Sequence, residues 1–289
     1  MYCLRKETLI NIALFGAMVC YCAFMLFDGN VSPDFRNYQY RWLNPSRFFL
    51  ADVEVMYPAA AILVNKIILD FRLAILFFNA VIIFFLLRSG REGKYFLILL
   101  LFHPFTAFGF NNTLLSFTAS LMAVVLLLRA RLVLFAGLPI LMHKGAILFA
   151  PFFFKSWSLQ IFSFVSVGAL VALASQKQGG STYLGNFDVD EAAFAIKLLY
   201  VLFPVMLANL VRPSRSIFSL ILGTLTIIVL FPLASKVADR FVYILSVLVI
   251  LFVAQSVERM SPQNKMAFFL FWISWSAFGY MHPSVQAQF

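Results

Sequence analysis

Polar positions are scarce in this chain, and long apolar runs separate them. A helix that crosses a bilayer needs about 20 mostly apolar residues. Runs of that kind or slightly shorter cover residues 8–27, 71–87, 95–110, 113–128, 157–174, 194–210, 217–233, 241–257 and 266–280. The first follows Arg5 and Lys6 and continues through Met25, Leu26 and Phe27 with no small-residue cleavage site, so it reads as a retained anchor. Two runs break the pattern. Residues 53–69 are helical in periodicity but carry Glu54, Asn65 and Lys66. Ionisable groups are costly in lipid, so this segment reads as a re-entrant or interfacial helix. Residues 132–154 are too long for one span and too short for two. They are interrupted at His143-Lys144-Gly145 and read as a hairpin of two short helices, with Pro139 and Gly145 marking the break. The expected fold is a single all-α domain over residues 1–289, a polytopic transmembrane helical bundle of about 9–11 membrane segments.

Composition strengthens that reading. Of 289 residues, 63% are hydrophobic and only 12% charged, against roughly 45–50% and about 25% in an average soluble domain. Such a chain cannot cover its core with polar surface, and it has far too much apolar material to stay disordered. The net charge is +10, which in a soluble protein would suggest nucleic acid; here no nucleic-acid partner is expected, because no wet surface clusters the charge. The positive-inside rule accounts for it instead. With the N-terminus in the cytoplasm, the inner loops hold 12 basic residues and three acidic ones, a balance of +9. The outer side and outer half hold ten basic and nine acidic residues. Net charge therefore orients the chain, and the balanced outer charges are where chemistry is expected. Cys3, Cys20 and Cys22 form neither a disulfide framework nor a metal-ligand set, and read as small packing residues. No cofactor and no metal are implied.

The outer candidates come from separate parts of the chain. Residues 28–57 hold Asp34, Arg36, Tyr38, Arg41, Arg47, Glu54 and Tyr57; the turn at 110–112 holds Asn112; the hairpin tip holds His143 and Lys144; a late span opens with Lys236, Asp239, Arg240 and Tyr243. A further loop, 175–191, adds Lys177, Asp188, Asp190 and Glu191. Arginine grips phosphate through bidentate, charge-assisted hydrogen bonds. Tyrosine offers a sugar both an apolar face and a polar edge. A carboxylate beside them can act as base toward a hydroxyl. Each type also has a plainer role: arginines snorkel, span-end aromatics anchor at the interface, and His103, before Pro104, reads as a buried histidine or kink partner.

The order of these features resembles the O-antigen and exopolysaccharide polymerases of the EpsG/Wzy type. A first span precedes an outer loop rich in Asp, Tyr and Arg; Glu54-Val55-Met56-Tyr57 follows; then come a basic inner loop, Phe110-Asn111-Asn112, His143-Lys144-Gly145-Ala146 and Arg240-Phe241-Val242-Tyr243. The resemblance runs from about residue 8 to 257. It implies a multi-pass protein of the bacterial inner membrane with a periplasmic active face. It implies transfer of a glycan from undecaprenyl diphosphate onto another lipid-linked repeat unit, alongside membrane lipid, a flippase and a chain-length regulator. On the matching positions it implies Glu54, Asp34, His143 and Arg240 in catalysis. Arg36, Tyr38, Arg41, Arg47, Tyr57, Asn112, Lys144, Asp239 and Tyr243 would bind substrate. One departure is plain: where the family carries an arginine shortly after its Phe-Asn turn, this chain has Leu114-Leu115. The alternatives are a lipid-linked oligosaccharide flippase or transporter, a membrane O-acyltransferase and a non-catalytic member of a polysaccharide assembly complex. No internal repeat supports the transporter, and no histidine before His103 supports the acyltransferase.

Overall fold

A computed structural model describes residues 2–27, 33–48, 55–68, 70–103, 114–129, 135–177, 191–211, 217–232 and 235–281. Every regular element among them is helical. The chain divides into two compact units, residues 1–146 and 147–289.

The first unit begins with α1 (Tyr2–Phe27) and continues through α2 (Pro33–Leu43), α3 (Pro45–Phe48), α4 (Met56–Val64), α5 (Phe71–Leu87), α6 (Arg91–Phe102), α7 (Leu114–Leu128) and α8 (Leu138–Met142). Two contacts fix the course of α1 against α5. The Arg72 guanidinium lies 4.8 Å from the Phe27 ring, so the end of α1 meets the start of α5. Lys94 Nζ donates to Glu7 at 2.6 Å, so the start of α1 meets the start of α6, just past α5. The helices are therefore antiparallel, and α2–α4 lie along the chain between one end of α1 and the neighbouring end of α5. At nine residues, α4 is about 13 Å long, less than half the ~30 Å hydrocarbon thickness.

Local chemistry sets the α5 boundaries. Asp70 caps its start, the carboxylate accepting from the Arg72 N–H at 2.8 Å. The helix stops at Arg88-Ser89-Gly90, where Gly90 has φ +87°, a conformation that glycine alone adopts without cost. The next helix returns tightly: a Cβ on Gly93 would collide with the Leu86 carbonyl. Arg129 then donates to Ser89 Oγ at 3.2 Å, which brings the end of α7 to this same turn. Helix α6 ends at Phe102, eight residues before the end of the apolar run. His103 is extended (φ −86°, ψ 122°), as a residue before proline must be. It is fully buried, in keeping with the buried-histidine reading.

The expected break at His143 is present, with φ −153° and ψ 124°. Only Gly145 marks it; Pro139 lies at the start of α8, where its missing N–H costs nothing. The second arm is not an α-helix. Lys144–Phe153 is a ten-residue 3₁₀ segment with Pro151 inside it, far longer than the three or four residues usual for that geometry.

The second unit continues with α9 (Trp157–Lys177), α10 (Glu191–Val211), α11 (Ile217–Leu230), α12 (Ser235–Glu258) and α13 (Pro262–Met281). Gln160 bonds Ser219, Phe164 lies at Gly223 and Gly168 at Thr226, so α9 and α11 run parallel in register. Phe194 in the first turn of α10 stacks on Phe231 just past α11, at 4.0 Å. Lys197 meets Asp239, so α10 and α12 start at the same end. The helices thus alternate in direction. Helix α12 is the centre of the unit, buried almost continuously from Phe241 to Val257.

Among the described residues, three helices are long and apolar enough to cross a membrane: Lys6–Phe27, Glu191–Val211 and Val237–Glu258. Shorter apolar helices are Phe71–Leu87, Leu115–Leu128, Lys144–Phe153, Trp157–Val171 and Ile217–Leu230. Together with outward-facing residues such as Leu63, Phe162, Leu210 and Met281, each more than two-thirds exposed, they suit a helical membrane protein, since no water-soluble chain leaves so much apolar surface uncovered.

Candidate functional site

Two clusters gather sequence-predicted residues, one in each unit. In the first unit the support is aromatic. Phe35, Tyr38 and Trp42 recur on one face of α2, and that face meets Tyr57 of α4 and Phe71 of α5. The Tyr57 ring centroid lies 5.8 Å from those of Tyr38, Trp42 and Phe71. Polar handles lock the stack: Tyr57 donates to the Tyr38 carbonyl at 2.8 Å, Trp42 Nε1 to the Ile68 carbonyl at 3.2 Å and Asn65 to the Trp42 carbonyl at 3.3 Å. Tyr57 is wholly buried and Tyr38 nearly so. Burial pushes the Tyr57 hydroxyl well above the ordinary tyrosine range and keeps it a donor. Both tyrosines, expected to bind substrate, are used here to hold α2 in place.

Helix α2 and its continuation into α3 also carry three arginines. Arg36 is exposed. Arg41 sits half-buried, its guanidinium 5.5 Å from the Phe48 ring. Arg47 is exposed and donates to the Tyr40 hydroxyl at 2.9 Å. The result is a basic platform bolted to an aromatic base, at the end of the unit opposite the Glu7–Lys94 pair. The Asp70 carboxylate, at the start of α5, is held under the ordinary carboxylate range by hydrogen bonds from Arg72. Helix α8, which ends at His143, packs on α4. His143 Nδ1 accepts from the Gly145 N–H at 3.1 Å, which assigns the proton of the neutral ring to Nε2. Lys144 is exposed.

The second cluster joins α10 to α12. Lys197 Nζ donates to Asp239 Oδ1 at 2.9 Å, and the ammonium lies 5.9 Å from the Tyr243 ring. Lys197 is 5% exposed and the Asp239 side chain 19%. Asp239 and Tyr243 were expected; Lys197 was not singled out, because its partner is 42 residues away. The one local signal was a lysine in the second turn of an otherwise apolar run.

Other candidates lie outside this description. Glu54 and Asn112 are outside the described residues, as are the turn at 110–112 and the loop at 178–190. Asp34 and Arg240 are placed on helices α2 and α12, but their side chains are not described. Among the described residues, no three His, Cys, Asp or Glu side chains gather as a metal site would require. No protein-family model, curated protein or solved structure matches the chain.

Proposed function

We propose that this chain is a membrane glycan polymerase of the EpsG/Wzy type, joining lipid-linked repeat units at the outer face of a bacterial inner membrane. The observation that carries this reading is the platform of Arg36, Arg41 and Arg47 on its buried aromatic base. Arginines held rigidly at a helix-bundle end form a site for a diphosphate headgroup. They lie at the end of the first unit away from Glu7, Arg91 and Lys94, which the positive-inside rule assigns to the cytoplasm. Helix α4 is then the interfacial segment, and His143 with Lys144 belongs to a broken helix packed on it.

In this reading an acceptor hydroxyl oxygen attacks the anomeric carbon of the donor glycan. The bond from that carbon to the diphosphate oxygen breaks, and undecaprenyl diphosphate departs with the electron pair. The hydroxyl proton passes to a carboxylate, Glu54 by preference, then Asp34. The arginines of the first unit, with Lys144, stabilise the charge growing on the leaving group in a site of reduced dielectric. The resemblance also gives Arg240 a catalytic role.

The test is a glycan ladder in a polymerase-null strain. The unaltered chain restores long glycans. Glu54→Gln and Arg240→Ala variants remain in the membrane and yield single repeats. Normal chain lengths from both variants would defeat the site assignment. A second reading, a non-catalytic partner, draws on Leu114-Leu115 standing where the family has arginine; it predicts no ladder from the unaltered chain.

A further inference from the structure

The Lys197–Asp239 pair is only half satisfied. An ammonium has three N–H donors, and among the described residues Lys197 makes one hydrogen bond, to Asp239 Oδ1. Its other near neighbour is the face of Tyr243, which accepts no conventional hydrogen bond. Asp239 Oδ2 likewise takes no hydrogen bond from a described residue, while Oδ1 is engaged. Lys197 is only 5% exposed, yet two of its three N–H donors meet no acceptor among the described residues. A buried charged pair left in this state is costly, more so than a fully bonded one or an apolar substitute. The pair also has an open edge, because the Asp239 side chain keeps 19% of its surface exposed.

The vacant valences are of both kinds: N–H donors on Lys197 and an acceptor on Asp239. A phosphate could use the lysine but would be repelled by the carboxylate. A second ammonium has the reverse problem. A hydroxyl satisfies both, accepting from one side and donating to the other. We infer that Lys197 and Asp239 form a subsite for the hydroxyl groups of a sugar, with neighbouring hydroxyls bridging ammonium and carboxylate and Tyr243 flanking them. Lys197 is a binding residue in this site, and Asp239 is held by it with Oδ2 turned to the ligand. The choice of a sugar rests on the polymerase reading; the preference for hydroxyl over anion rests on the pair itself.

The experiment uses the full chain in lipid nanodiscs and a mixture of glucose, galactose and N-acetylglucosamine, read by saturation-transfer NMR. A double variant, Lys197→Met with Asp239→Leu, replaces the pair by apolar groups, which keeps or raises thermal stability. Saturation transfer to the sugars is expected from the unaltered protein and lost from the double variant. Where that variant does not reach the membrane, Asp239→Asn keeps the shape and should weaken binding about tenfold. Sugar signals undiminished in these variants overturn the inference. So does their absence from the unaltered protein, which would leave only water between the two groups. The glycan ladder separates this from the wider reading. Long glycans from both the unaltered chain and the double variant sink the subsite and spare the polymerase; no glycans from the unaltered chain sink the polymerase whatever the NMR shows.

Discussion

Tyr57 and Arg47 stand ten residues apart in one candidate region and answer differently to substitution. Tyr57 is buried with its hydroxyl on the Tyr38 carbonyl. Tyr57→Phe removes that bond at a buried site, so it should cost about 1 kcal/mol. A lowered unfolding midpoint in detergent would show it. Arg47 is exposed and bonded only at its tip to Tyr40, so Arg47→Ala should change stability by less than about 0.5 kcal/mol. If the platform grips a diphosphate, the same variant shortens the glycan ladder without lowering the amount of protein. Asp70 offers a test in pH. Its carboxyl is lowered on folding by hydrogen bonds from Arg72. A carboxyl lowered on folding contributes fully above its unfolded value of 3.8, and the contribution fades as pH falls through the lower folded value. Removing the carboxylate with Asp70→Ala should cost about 1 kcal/mol at neutral pH through loss of the α5 cap. The difference from the unaltered chain should shrink in strong acid; a gap constant from neutral to strongly acid pH would show that the ionised carboxylate contributes nothing.

At the scale of helices, the turn between α5 and α6 is the most constrained joint. Gly93 has no room for a methyl against the Leu86 carbonyl, and that atom is backbone, which cannot swing aside. Gly93→Ala should therefore destabilise by about 1–3 kcal/mol and loosen the Lys94–Glu7 contact. An unfolding midpoint equal to that of the unaltered chain would refute the close approach. The bounds of α5, residues 71–87, were legible in the sequence because an acid cap, an unbroken apolar run and an Arg-Ser-Gly stop coincide. In the run at 95–110 the helix ends at Phe102 and His103 is extended before Pro104, as the residue before a proline prefers; the remainder of the run lies outside the described residues. The 3₁₀ form of Lys144–Phe153 had no local sign beyond Gly145 and Pro151, since its apolar residues suit either helix. The Tyr38–Tyr57 and Lys197–Asp239 contacts were illegible as pairs. Each joins positions well apart in the chain, and only helix packing reveals which residues meet.

For the chain as a whole, the decisive question is which ends face the cytoplasm. In the first unit Glu7, Lys94 and Arg129 gather at the end where the α5–α6 turn lies, and Arg88 and Arg91 belong to that turn. The opposite end bears Arg36, Arg41, Arg47, Lys66 and the Asp70–Arg72 pair. In the second unit, taken by itself, the end where α9, α11 and α13 begin carries Lys155 and Lys265, with Arg259 in the turn before α13. The end where α10 and α12 begin carries Glu191, Lys197, Lys236, Asp239 and Arg240. In the proposed orientation the end bearing Arg88, Arg91 and Arg129 and the end bearing Lys155, Arg259 and Lys265 face the cytoplasm. Accessibility labelling can check this in a chain whose Cys3, Cys20 and Cys22 are replaced by serine. In such a background Arg91→Cys and Lys265→Cys should resist a membrane-impermeant thiol reagent until the inner membrane is opened. Arg36→Cys and Lys66→Cys, both exposed, should react from the outer side at once. Immediate labelling at 91 would place the basic turn outside and remove the orientation on which the arginine platform depends. Protection at 66 together with labelling at 36 would instead show that α4 and the residues after it lie deeper in the bilayer than an interfacial helix can.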